Sequence, residues 1–208
     1  MKVLELFSGT ESFSKVARER GHDTFTVDNN PRFKSDLCLD IMNLKASDIP
    51  FKPDVIWASP PCRTFSIASC YRHWNKDRTP KTDDCLKGIA MLKKAIELII
   101  ELNPRYWFIE NPRGLMRKQE IMKDLPKNTV TYCQYGSKVM KPTDIWTNCS
   151  SWIPKPMCKN GMPCHESAKR GSDRGTQAQH RSPMLRAIIP PDLCKEIILV
   201  CEKELMSN

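Results

Sequence analysis

The sequence predicts one α/β domain, with a mostly parallel sheet, helices on both faces and a small irregular insertion containing cysteine and histidine. Three observations lead there. Short apolar runs alternate with capped amphipathic stretches through the first half, the order expected of βαβ units. A glycine turn, Ser8-Gly9, follows the first run. The later runs end in carboxylates or a thiol, which gathers chemistry at the carboxyl edge of the sheet, where open α/β sheets bind ligands.

The elements follow in order. Lys2 to Leu6 is an apolar strand. Residues 7 to 11 turn, and Ser12 to Arg20 form a helix closed by Gly21, a residue type that commonly ends helices. Thr24 to Val27 is the second strand, with Asp28 at its end and Asn29-Asn30-Pro31 as a turn. A weak third strand covers Asp36 to Leu39. Asp54 to Ala58 is a buried strand that Pro60 stops. Residues 63 to 81 hold few apolar side chains and are expected to form a structureless loop, functional or mobile. Thr82 caps a helix reaching Leu102, with Asp83 and Asp84 in the first turn, where the helix dipole favours anions. Its expected buried stripe is Leu86, Ile89, Ala90, Ile96, Ile99 and Ile100. Tyr106 to Ile109 is the next strand, so residues 54 to 109 form a right-handed βαβ unit. Thr129 to Cys133 and Asp144 to Thr147 are two more strands around a basic turn. Little periodicity follows from Cys149 to Arg186. Pro190-Pro191 opens a last helix to Leu205, with Leu193, Ile197, Cys201 and Leu205 on one face.

A chain of 208 residues can build a real core. Its net charge of +9 favours nucleic acid as a partner, although enzymes of small anionic metabolites can also be basic. No stretch approaches the ~18 apolar residues of a membrane span. Glu5 interrupts the first apolar run, unlike the uncharged core of a signal peptide. The expectation is a monomer in the cytoplasm, a reducing compartment where ten cysteines do not pair as disulfides. Cys38, Cys85, Cys194 and Cys201 are expected in the core, and Cys70 has no assigned role.

Pro60-Pro61-Cys62 holds a thiol rigidly at the end of the fourth apolar run. The thiolate is the nucleophilic form, so Cys62 needs nearby positive charge or a base, and Arg63 is the adjacent cation. Glu110 closes the neighbouring strand on the same edge. A thiol opposite a carboxyl group suits covalent attack on an aromatic ring: sulfur adds to an electron-poor carbon while the acid protonates a ring nitrogen. The glycine loop Phe7-Ser8-Gly9-Thr10, with Asp28 closing the second strand and Asp40 the third, lines one edge of the sheet where a nucleoside would lie; the alternative is a tight strand-to-helix turn with two solvated acids. The loop has one glycine, which fits adenosine without phosphates better than a pyrophosphate cradle.

These motifs carry a resemblance. Leu6-Phe7-Ser8-Gly9, then Pro60-Pro61-Cys62 with Phe65-Ser66, then Glu110-Asn111 resemble, in that order, the cofactor, nucleophile and acid motifs of the DNA (cytosine-5)-methyltransferases. The short bacteriophage-type forms are the most similar, and DNA modification, in restriction-modification or ahead of a further base modification, is the role they imply. Tyr135-Gly136 to Lys141 is similar in place to a later basic motif, with Lys138 and Lys141 as its candidates. Ile189 to Leu193 resembles the entry to the family's final helix. Glu11 stands where the family's loop usually has a second glycine.

The resemblance implies a Rossmann-like class I fold, S-adenosylmethionine as cofactor and cytosine in double-stranded DNA as substrate. It implies that Cys62 attacks C6 of a flipped cytosine, Glu110 protonates N3 and C5 takes the methyl group. Flipping is required because the ring is buried in the stack. It assigns Phe7 and Gly9 to the methionine end of the cofactor, with Ser8, Thr10 and Pro60 beside them. Asp28 and Asn29 go to the ribose, and Asp40 and Ile41 to the adenine. An RNA-methylating relative acting on tRNA, or an inert DNA-binding homologue, are the alternatives.

On this reading residues 1–148 are the catalytic part, 149–186 a reduced recognition segment and 187–208 a helix returning to the first part. The middle segment holds Cys149, Cys158, Cys164 and His165, a donor set suited to structural zinc, with Cys133 or His180 as alternatives to His165. A segment this polar cannot fold on apolar burial alone. From Lys159 to Arg186 it is basic, and Lys169, Arg170, Arg174 and Arg181 are candidates for phosphate contacts. Ser66, Arg72, Lys76 and Arg78 are the DNA-contact candidates in the loop after Cys62. So small a reader is expected to specify a very short sequence.

Overall fold

A computed structural model describes residues 1–168, 171–172 and 180–206. A seven-stranded sheet forms the centre. Its strands are β1 (Lys2–Leu6), β2 (Asp23–Asp28), β3 (Leu37–Cys38), β4 (Val55–Ala58), β5 (Tyr106–Pro112), β6 (Lys127–Thr131) and β7 (Pro142–Thr147), in the spatial order β3-β2-β1-β4-β5-β7-β6. The first five pair in parallel, and β7 inserts antiparallel between β5 and β6. The order reverses between β1 and β4, the crevice where doubly wound sheets bind ligands.

Helices cover both faces. They are α1 (Ser12–Glu19), α2 (Cys70–His73), α3 (Asp83–Leu102), α4 (Pro183–Ala187) and α5 (Pro191–Met206). Strand alternation sends Val3, Val55, Trp57 and Phe108 to the side of α1 and α5, and Leu4, Leu6, Ile56, Ala58 and Ile109 to the side of α3. On the first side an aromatic ladder crosses the sheet. Phe13 stacks on Trp57 at 4.6 Å, Trp57 lies 6.0 Å from Phe108, and Phe108 meets Trp152 edge-on at 6.1 Å.

Four expectations change. The stretch 63–81 is structured: Ile67–Ser69 makes a 3₁₀ turn, α2 follows, and Trp74 bridges to Pro80. Phe65 and Trp74 are buried and pin it, with the Trp74 indole donating to the Thr64 carbonyl at 2.6 Å. Helix α3 buries Cys85, Gly88, Leu92, Ala95, Leu98 and Ile99, while Leu86 and Ile100 face solvent. Its inner face is narrow because the turn after Cys62 lies against it. Strand β5 extends through Pro112, because antiparallel β7 supplies partners beyond the reach of β4. Cys38 is exposed, on a two-residue edge strand paired on one side only.

Glu5 is the buried carboxylate of β1. It accepts from the backbone N–H groups of Ser14 at 2.8 Å and Phe13 at 3.4 Å, so it closes the N-terminus of α1. Burial pushes its carboxyl up to about 7, and the hydrogen bonds from Ser14 and Phe13 hold it from rising further. Gly114, after β5, passes directly over the turn after Cys62. A Cβ there would stand 2.2 Å from the Phe65 carbonyl oxygen, which accepts from Leu115 N at 2.7 Å.

Two predictions follow from these contacts. Gly114→Ala should cost about 1–3 kcal/mol by forcing the two turns apart, read as a lower urea midpoint at unchanged slope; an unchanged midpoint would count against the close approach. For Glu5, the folded carboxyl titrates higher than the unfolded one. The neutral form's contribution is therefore complete below about pH 4.3 and lost as pH rises through about 7, an effect on the order of 3 kcal/mol. The stability difference between wild type and Glu5→Gln, measured from about pH 5 to pH 8, should move against wild type as pH rises.

Candidate active site

The glycine loop turns sharply off β1. Phe7, Gly9 and Glu11 all have positive φ, at 56°, 47° and 54°. Glu11 therefore adopts the conformation a glycine would take without cost, and its carboxylate pairs with Arg18. Asp28 holds the loop from the next strand: Oδ2 accepts from Gly9 N at 2.9 Å and Oδ1 from Asn30 N at 2.8 Å. Asp40 caps the turn Ile41–Asn43 through Met42 N at 2.9 Å.

A pocket lies at this edge, walled by Phe7, Val27, Asp28, Asn29, Leu39, Asp40, Ile41, Pro61 and Met91. Five expected cofactor residues line it: Phe7, Asp28, Asn29, Asp40 and Ile41. Ser8, Gly9 and Thr10 shape the loop behind it, and Pro61 takes the wall expected of Pro60. Met91, reaching in from α3, carried no signal in the sequence. Two carboxylates, apolar walls and no basic side chain suit a nucleoside without phosphates, which fits S-adenosylmethionine.

Cys62 and Glu110 occupy neighbouring strand ends, since β4 and β5 pair up to Ala58 and Ile109. Asn111 joins the two motifs: its Nδ2 donates to the Pro60 carbonyl at 2.8 Å inside the protein. Glu110 is buried, and Oε1 accepts from the Tyr132 hydroxyl at 2.9 Å. Burial and the Glu110 charge push the Tyr132 hydroxyl well up.

Cys62 opens to solvent at the mouth of the site, yet the surrounding walls crowd its sulfur. Desolvation and then the Glu110 charge push its thiol up, while Lys141 and Arg186 pull it down. Arg63 does not serve the thiol as expected: its guanidinium faces Asp84 at 3.6 Å, in solvent. Lys141 takes that place. Its Nζ lies 4.6 Å from the Tyr132 ring centre and donates to the Arg186 carbonyl at 2.7 Å. Lys138 is exposed one turn away, and its carbonyl accepts from Glu166 N at 2.7 Å. Tyr132 and Arg186, like Met91, are additions with no signal in the sequence, while Asn111, part of the acid motif, gains a positioning contact that the motif does not reveal.

Of the DNA-contact candidates, Ser66 Oγ caps the 3₁₀ turn through Ala68 N at 3.3 Å, and Arg72 lies over the Tyr71 ring at 5.4 Å. Lys76 and Arg78 stand on an exposed turn, and Arg181 is exposed before α4. Lys169, Arg170 and Arg174 lie outside the described residues.

The expected metal set needs one correction. Cys149 is buried in the main core beside Ser151, 3.5 Å from its hydroxyl. Cys133, on the 3₁₀ turn Tyr132–Tyr135, joins Cys158, Cys164 and His165 instead, with all four donor atoms within 4.8 Å of one another. Antiparallel return of the chain after β7 brings residue 158 back to the end of β6, where Cys158 N donates to Thr131 Oγ1 at 2.8 Å.

Comparisons with known proteins give the family and the fold. Residues 1–139 match the family model described as C-5 cytosine-specific DNA methylase. A curated Frog virus 3 (isolate Goorha) protein named "Probable DNA (cytosine-5)-methyltransferase" is 32% identical over 220 residues, covering 97% of this chain and all of the relative. The solved Dnmt2 methyltransferase of S. pombe shares the fold with a TM-score of 0.51 at 18% identity, covering 71% of this chain and 50% of that one. The Entamoeba histolytica methyltransferase EhMeth does so with a TM-score of 0.52 at 16% identity, covering 76% and 57%. The chain thus spans about half the length of these solved structures. Its fold is the Rossmann-like fold of the methyltransferases, and the chain belongs to the family of C-5 cytosine-specific DNA methylases.

Proposed function

We propose that the protein transfers a methyl group from S-adenosylmethionine to C5 of a flipped cytosine in double-stranded DNA, through a covalent bond between Cys62 and C6. The observation that carries this is the juxtaposition of Cys62, Glu110 and Lys141 where β4 ends beside β5, next to a pocket walled by two carboxylates and apolar side chains.

The cofactor supplies an electrophilic methyl group when bound, with Phe7, Asp28, Asp40, Ile41 and Met91 as its walls. The Cys62 thiolate adds to C6, and the electron pair displaced from the C5–C6 bond makes C5 nucleophilic. Glu110 donates a proton to N3 and is itself held in place by Tyr132. C5 takes the methyl group, the donor sulfur keeping the electron pair of the broken S–CH₃ bond; a base then removes the C5 proton, the C5–C6 double bond re-forms, Cys62 leaves as the thiolate and N3 returns its proton to Glu110. Lys141 and Arg186 favour the thiolate against burial and the Glu110 charge.

The basic stretches 63–81 and 159–186 support contacts to the DNA backbone, which position without specifying. With so short a stretch between β7 and α5, the reading includes a target of one or two specified base pairs. Among the described residues no helix is long and apolar enough to cross a membrane. The ten free cysteines support action in a reducing compartment, such as a host cytoplasm, and the reading is of a monomer.

Incubation with DNA containing 5-fluorocytosine and S-adenosylmethionine should trap a covalent protein–DNA adduct, absent in Cys62→Ala. Trapping on tRNA in place of DNA, or no adduct with the folded wild-type protein, would overturn the reading. Methylation sequencing of modified DNA should reveal a motif of at most two specified pairs, and four or more would contradict the short target. Lys141→Met should lower the rate about three- to tenfold near neutral pH and move the rising limb of the pH–rate profile to higher pH. Tyr132→Phe, which leaves Glu110 without its donor, should cost about tenfold in kcat.

A further inference from the structure

The Cys/His group beyond the active site has the geometry of a metal centre. Cys158 Sγ lies 3.6 Å and Cys164 Sγ 3.5 Å from His165 Nδ1, and the two sulfurs lie 3.2 Å apart. Tetrahedral zinc with Zn–S of about 2.3 Å and Zn–N of about 2.05 Å puts sulfur and nitrogen about 3.6 Å apart and two sulfurs about 3.8 Å apart. The sulfur–nitrogen distances already match, and the sulfur pair needs to part by about half an ångström. His165 is 8% exposed and its Nε2 has no partner among the described residues, so Nδ1 facing the sulfurs is the ring's only polar engagement there.

The group also lies where the chain needs a fastening. Cys133, Met140 and Cys158 form a small satellite cluster, apart from the two large cores. Around it the chain exposes Ile153, Met157 and Met162, so residues 153–166 gain little from apolar burial. Cys133 belongs to the turn after β6, whereas the other three donors come from the segment beyond β7.

We propose that Cys133, Cys158, Cys164 and His165 bind one structural zinc ion that clamps the segment beyond β7 to the turn leading to Lys138 and Lys141. Binding replaces three S–H bonds with three Zn–S bonds, releasing the protons to solvent, and adds one Zn–N bond to neutral His165. The four ligands leave no open position, which makes the ion structural rather than catalytic. The hydrogen bond from Glu166 N to the Lys138 carbonyl runs beside the clamp and carries its order to the turn.

Metal analysis tests this independently of methyl transfer. Protein purified under reducing conditions from zinc-supplemented cells should contain about one zinc per chain. The cobalt-substituted form should show visible bands of tetrahedral cobalt and near-ultraviolet thiolate charge transfer. Chelation should lower Tm by about 5 °C or more and expose three further thiols to Ellman's reagent, with zinc restoring both. Cys158→Ser and Cys164→Ser should lose the metal, whereas Cys149→Ser should keep it. Should the ligand variants prove insoluble, the cobalt spectrum and thiol protection of wild type decide. Wild type that takes up neither zinc nor cobalt when reduced would overturn the proposal, as would a Cys158–Cys164 disulfide in its place or zinc retained by the Cys158→Ser/Cys164→Ser double variant.

Discussion

The site depends on one buried hydrogen bond, from Asn111 Nδ2 to the carbonyl of Pro60. A proline cannot donate from its backbone, so a Pro-Pro step leaving a sheet can be fastened only through its carbonyls. Asn111 does this from the neighbouring strand, one residue beyond Glu110. The proposed nucleophile and the proposed acid are therefore fixed relative to each other by a contact that belongs to neither. The other polar contacts of the centre extend that frame: Tyr132 holds Glu110, and Lys141 spans from the Tyr132 ring to the Arg186 carbonyl.

Packing on the α3 side keeps the frame in register. The turn after Cys62 is squeezed between α3 and the loop after β5, and both neighbours present glycine to it. A Cβ on Gly88 would stand 2.4 Å from Thr64 Oγ1, and one on Gly114 would meet the Phe65 carbonyl. With Trp74 reaching back to the Thr64 carbonyl, the turn is held from three directions. The thiol can thus be solvent-accessible without being loosely placed.

The ends of β1 and β4 were legible in the sequence because apolar runs stop abruptly there, at the glycine loop and at Pro60, whereas β5 runs past Glu110 to Pro112 on partners that only β7 supplies. The pocket residues Phe7, Asp28, Asp40 and Ile41 were legible for the same reason. What escaped depended on contacts distant in sequence. The inner face of α3 is lined partly by Cys85, Gly88 and Ala95, small residues that hydrophobic periodicity undervalues against the exposed Leu86 and Ile100. The stretch 63–81 looked unstructured because its anchors are just two aromatic residues, Phe65 and Trp74. Cys149 was grouped with Cys158 and Cys164 by chain proximity, whereas the antiparallel return of the chain brings Cys133 to them. Arg63 was favoured as a neighbour of Cys62 in sequence, but a side chain leaving a turn need not follow the residue before it.

Trp152 sits at the end of the aromatic ladder, and its indole shares Glu196 Oε1 with the Tyr135 hydroxyl, each at 3.0 Å. One carboxylate of α5 thus ties the start of the segment beyond β7 to the turn after β6. Local opening free energies rise with the buried contacts that must be given up. Peeling this segment away would expose an indole from the main core and break the bonds from Trp152 Nε1 to Glu196 and from Lys155 N to the Tyr135 hydroxyl, so its attached end is costly to open. The segment beyond β7 thus leaves the sheet from a fixed root, which sets the direction in which residues 153–166 start out.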